Sequence, residues 1–176
     1  FDTETTPTDE NKSQGKVSYN HVGMYGQAGW EEENKRMADD VLSDLQGSKN
    51  LQHYANETMI AVPTHARMEH MQGLLEDPLK NIGVGIKRVR SPEQLDQDAL
   101  NMVGMRDKPD PTDDPDAHAK FFDARKVVQQ NYDAQKGVLL GVHHTMKGLE
   151  KKRGYMGGIT GEGSGQIVTS QLSERL

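Results

Sequence analysis

The chain has 176 residues, of which 33% are hydrophobic and 5% aromatic, with 18 glycines and 7 prolines; this excludes a large apolar core and predicts a modest one with long excursions. A formal net charge of −6 disfavours binding of nucleic acid or an anionic membrane by the surface as a whole. With no cysteine there are no disulfides or thiolate metal sites, and no apolar run approaches the roughly 20 residues of a membrane span.

No signal peptide is visible, and the first residue is Phe1 rather than Met, which reads as a processed product or a fragment. Residues 1–29 read as an extended arm: "FDTETTPTDENKSQGKVSYN" has almost nothing to bury, and Met24 and Tyr25 suit a loop that docks elsewhere. From Trp30 the chain turns helical. Trp30, Met37, Val41, Leu42 and Leu45 share a stripe, three glutamates at 31–33 favour the helix dipole, and Gly47 offers a stop. A second helix follows from Leu51, Tyr54, Ala55, Thr58, Met59 and Val62, ended by Pro63. Thr64 caps a third, 65–76, whose apolar face is Met68, Met71, Leu74 and Leu75.

"NIGVGIKRVR" alternates Ile82, Val84 and Ile86, which predicts at most a short edge strand within 82–90, weakened by Gly83 and Gly85. "SPEQ" at 91–94 is a capping box with proline at the first helical position, so 92–105 is helix and closes a helical region of 30–105. An acidic, proline-rich linker occupies 106–116. Asp114 and Pro115 then start the longest expected helix, about 115–152. Phe121, Arg125, Val128, Tyr132, Gln135, Leu139, Val142, Met146 and Leu149 make a heptad seam, and a rod of that length would measure on the order of 55 Å. Residues 154–176 form a glycine-rich arm in which Ile167 and Val168 could add to a neighbour's sheet. The expected fold is therefore mainly α with extended arms at both ends.

Three glycines fall inside the long helix. Each costs about 1 kcal/mol relative to alanine, so Gly137, Gly141 and Gly148 together cost roughly 3 kcal/mol. The expected offset is the close approach of another helix or an extended chain. The plainer alternative is that the glycines are tolerated accidents or that the helix breaks near 137.

Candidate chemistry is sparse. His65 and Glu69 lie four apart, but His65 and His70 diverge by roughly 140° on a helix, so they cannot chelate a metal together. His143 and His144 are adjacent and diverge by about 100° on a helix, which makes a solvent-facing pair the expectation. Asp107, Asp110, Asp113, Asp114 and Asp116 resemble a calcium loop in composition only, without its glycine and terminal glutamate. "KRVR" (87–90) and "KKR" (151–153) could touch phosphate, but no aromatic residues interleave them, and "KKR" suits a helix C-terminus. No enzyme activity, metal or cofactor is expected.

The sequence points instead to a structural subunit of a large assembly, of the type found among minor capsid, cement and internal head or tail proteins of virus particles. The alternative is a helical adaptor that grips one partner with the long helix. Its partners would be other protein subunits, with nucleic acid disfavoured, no membrane span and an oligomeric state expected. A virion or a cytoplasmic assembly is the favoured location. Its contacts would run through the helix seam (Phe121, Val128, Tyr132, Gly137, Leu139, Gly141, Val142, Met146, Leu149) and the arms (Met24, Tyr25, Ile167, Val168).

Overall fold

A computed structural model of the chain describes residues 26–158. Its core is a parallel sheet of four strands, so the expectation of a mainly α protein with a long C-terminal helix is corrected. In chain order the elements are α1 (Gly26–Gln46), α2 (Leu51–Asn56), β1 (Thr58–Val62), α3 (His65–Asn81), β2 (Ile86–Arg88), α4 (Pro92–Val103), α5 (Pro115–Ala134), β3 (Val138–Val142) and β4 (Arg153–Met156). The strands run β2-β3-β1-β4, with Met59 beside Leu139, Ile86 beside Val138 and Thr58 beside Arg153.

Two segments expected to be helical are the central strands. "TMIAV" and "VLLGV" are short, nearly unbroken apolar runs, a pattern shared by a buried helix turn and by a strand covered on both faces. Pairing decides between them, because each run completes the other's hydrogen bonds from Met59 opposite Leu139 to Val62 opposite Val142. The expected 51–62 helix is thus only α2 before Glu57 turns the chain into β1.

The expected 115–152 helix ends at Ala134. Gln135 is extended at φ −64° and ψ 134°, and Gly137 sits at φ +128°, which only glycine adopts without strain. Its N–H donates to Asn56 Oδ1 at 2.7 Å, and a Cβ there would collide with the Gly85 carbonyl. The glycine is offset by close packing of strand backbones, not of helices. The "KKR" run likewise leads into β4 instead of ending a helix: Lys151 Nζ donates to the Asn56 carbonyl at 2.5 Å, and the Arg153 guanidinium lies 3.5 Å over the Tyr54 ring.

One sheet face carries the main core. Ile60, Val62, Val138, Leu140 and Val142 pack under Met37, Val41 and Leu45 of α1 and Met68, Met71, Leu75 and Leu79 of α3. The other face is covered by the chain between β3 and β4, whose Met146 packs with Ala61 and Leu139. Helices α4 and α5 form a hairpin with a small core of their own: Ala99, Leu100, Phe121 and Ala124. The capping box holds as expected, with Ser91 Oγ accepting from Gln94 N at 3.3 Å and Gln94 Oε1 from Ser91 N at 2.9 Å.

Candidate functional site

Parallel strands deliver all four carboxyl ends to one rim, and the loops that follow them are where an open α/β sheet gathers functional side chains. After β1 the chain enters α3 on the main-core face, whereas after β3 it leaves over the opposite face. Neighbouring strands whose chains part in this way open a crevice between them. His65, first residue of α3, and His144, just past β3, meet there with ring centroids 6.2 Å apart. Thr64 caps α3 by accepting from Arg67 N at 3.3 Å, so the positive end of that helix is turned to the rim.

Beside it, at the carboxyl ends of β2 and β3, is a cavity of about 160 Å³ lined by His65, Met68, Arg88, Val89, Arg90, Gln94, Val142 and Thr145. Val89 N donates to the Leu140 carbonyl at 2.9 Å and extends the pairing one residue beyond β2, which fixes the two flanking arginines. Arg88 Nη2 reaches Glu69 Oε1 at 2.6 Å, and Arg90 Nη2 reaches Asp98 Oδ2 at 2.5 Å. The Arg90 N–H donates to Tyr132 Oη at 3.3 Å, while its Nε is buried with no hydrogen-bond partner among the described residues. Both ion pairs remain open to water, with side chains 36% to 61% exposed, so each is weakly held. At the start of α4 the Glu93 carboxyl is held below its usual range, mainly by its own backbone N–H and then by the Ser91 hydroxyl. That helix end is already occupied by an anion.

A second cluster closes the rim over β4. Glu33 Oε2 pairs with Arg67 Nη1 at 3.1 Å and Glu33 Oε1 accepts from Gly158 N at 2.7 Å. The fully buried Asn34 donates to the Arg67 carbonyl at 2.9 Å, and the Arg67 guanidinium lies 5.6 Å over Trp30. His143 is turned inward here. Burial lowers the pKa of its imidazole, with the Ala61 and Gly157 backbone and Glu33 opposing the shift and Arg67 adding to it. This cluster ties α1, α3 and the end of β4 together.

The residues the sequence marked as one seam are dispersed. Phe121 and Val128 pack inside the α4–α5 hairpin, and Tyr132 faces Arg90 and lies 4.3 Å from Lys87 Nζ. Gly137 is the strand-entry turn; Leu139, Gly141 and Val142 belong to β3. Met146 rests on Gly141, and Leu149 is 41% exposed. Met24, Tyr25, Ile167 and Val168 lie outside the described residues.

The "HARMEH" histidines part company, and the expected solvent-facing "HH" pair is corrected, since His143 is half-buried while His144 is exposed. His65 joins His144, Glu69 joins Arg88, and His70 packs edge-on to Trp30 at 5.2 Å. The Arg88–Arg90–His65–Thr145 grouping was not foreseen. Its one local signal was a cationic run placed directly before a helix cap. Among the described residues no helix is long and apolar enough to cross a membrane. Comparison of the chain with family models, with curated proteins and with solved structures finds no match.

Proposed function

We propose that this chain binds the phosphate groups of a nucleic-acid strand across the carboxyl rim of its sheet. The observation that carries this reading is the open cavity flanked by Arg88 and Arg90, whose guanidinium ends are held only by exposed carboxylates, with the capped end of α3 adding positive potential. Its size narrows the ligand. A volume of about 160 Å³ admits one phosphate group, well below the roughly 300 Å³ at which pockets begin to enclose a small molecule. The extended Val89–Ser91 segment, whose Val89 and Arg90 line the cavity, has no glycine, so it is not a loop of the kind that wraps a free nucleotide's phosphates. A strand laid over the rim would seat one phosphate in the cavity and pass the next ones by His65 and His144.

The net charge of −6 does not weigh heavily against this, because exposed charges beyond about 10 Å are screened at moderate salt. The reading assigns binding and no reaction. Fluorescence anisotropy with labelled single-stranded DNA and RNA tests it. Arg88→Ala/Arg90→Ala should weaken binding at least tenfold, and the slope of log K against log salt should become shallower by about 0.7, the one phosphate seated between the two arginines. Equal affinities for the double variant and the wild type would overturn the reading, as would tighter binding of inorganic phosphate than of the strand.

We propose as a second reading that the chain is a subunit of a large assembly. This reading no longer has the heptad rod, and is supported by Met102 and Phe122, which stand 58% and 44% exposed on the helical hairpin. Light scattering that finds only monomer at micromolar concentration would remove it.

A further inference from the structure

We propose that Asp98 holds on Arg90 the place a phosphate takes, so that ligand binding at the rim unlatches the α4–α5 hairpin from the sheet. The inference rests on the phosphate-binding reading above. The hairpin keeps its own core and shares none of the buried residues of the main one. It is tied to the end of the sheet by polar contacts of β2 and the segment just past it: Arg90, following the last sheet bond at Val89, to Asp98, the Arg90 N–H to Tyr132 Oη, and Lys87 of β2 over the Tyr132 ring. Its two ends leave the sheet at Val89–Ser91 and at Gln135–Gly137, where Gly137 is already in a backbone region few residues enter.

The two arginines of the cavity differ in what their carboxylates hold. Glu69 belongs to α3, which is locked under the sheet by Met68, Met71 and Leu75, so releasing Arg88 moves nothing else. Asp98 belongs to α4, so releasing Arg90 removes a latch. The Arg90–Asp98 pair is exposed enough for a ligand to reach, and a phosphate can take the place of the carboxylate on the guanidinium, a group whose fork suits either anion.

The chain has no cysteine, so a Met102→Cys/Gly73→Cys variant carries a spin label on α4 and another on α3, both at exposed positions. With a single-stranded oligothymidylate as probe, the distance between labels should lengthen on binding. Asp98→Asn should show the lengthened distance without ligand and bind the oligonucleotide roughly two- to fivefold tighter, the range expected on removing an exposed carboxylate competitor. Asp123→Asn, an equal charge change on the exposed side of α5, should alter neither reading. Oligothymidylate binding that needs Arg90 but leaves the distance unmoved, or an Asp98→Asn variant no tighter than Asp123→Asn, overturns the latch while the binding reading stands. Failure of the wild type to bind oligothymidylate overturns both.

Discussion

Single residues set where this chain may bend. Gly137 is the sharpest case, because its φ of +128° and its contact with the Gly85 carbonyl both forbid a Cβ. Gly137→Ala should destabilise the protein by about 2–3 kcal/mol in urea denaturation. Gly141 also lacks room, but its nearest neighbour is the Sδ of Met146, which ends a flexible side chain. Gly141→Ala should therefore be the milder change, and the reverse order would refute this account of the β3 entry. His143 gives the stability a pH dependence. Burial depresses its folded-state pKa below the ordinary 6.5, so the unfolded chain takes up the proton first. This contribution is complete above 6.5 and is lost as pH falls through 6.5 toward the lowered folded value. Denaturation midpoints of His143→Gln should accordingly fall less than those of the wild type between neutral and mildly acidic pH.

At the scale of elements, end signals proved more legible than the type of the apolar runs. Thr64, Ser91 with Gln94, and Asp114 with Pro115 all start helices where the sequence places them, because a cap is a bond between residues two or three apart. Periodicity misled where residues 117–134 continued smoothly into 138–149. Leu139, Val142 and Met146 kept a heptad spacing by coincidence while belonging to a strand and a loop. The hairpin and the sheet are also separate packing units. Phe121 is 1% exposed inside the smaller one, so Phe121→Ala should raise amide exchange across α4 and α5 while β1 and β3 stay protected. Hydrogen exchange read by mass spectrometry distinguishes this from a global loss, which would show the hairpin and the sheet to be one cooperative body.

For the whole molecule, the parallel sheet decides what can meet. Leu140, fully buried on the central strand β3, packs with α1, α3 and β1 together. Leu140→Ala should lower global stability by about 2–5 kcal/mol in a single transition, in contrast to the local effect at Phe121. The rim exists only because four strands point the same way. Residues 65, 88–90 and 143–145 are unremarkable in their own segments, and no local rule joins them. The cationic run before "SPEQ" was visible, but nothing in it said that His65 and Thr145 would stand beside it.

The sequence by itself determined the helix starts at Thr64, Ser91 and Asp114 and the acidic connection between α4 and α5. These depend on neighbours within one or two turns, where caps, propensities and charge act directly. By contrast, α1 begins at Gly26, four residues before the expected Trp30, and the break at Gly137 was only the alternative to a continuous helix. Only the tertiary structure decided that "TMIAV" and "VLLGV" are strands, since a five-residue apolar run gains its hydrogen-bond partners from a segment some eighty residues away. It also decided the site, because Arg88, Arg90, His65 and Thr145 become neighbours only when parallel pairing brings three distant loops to one edge.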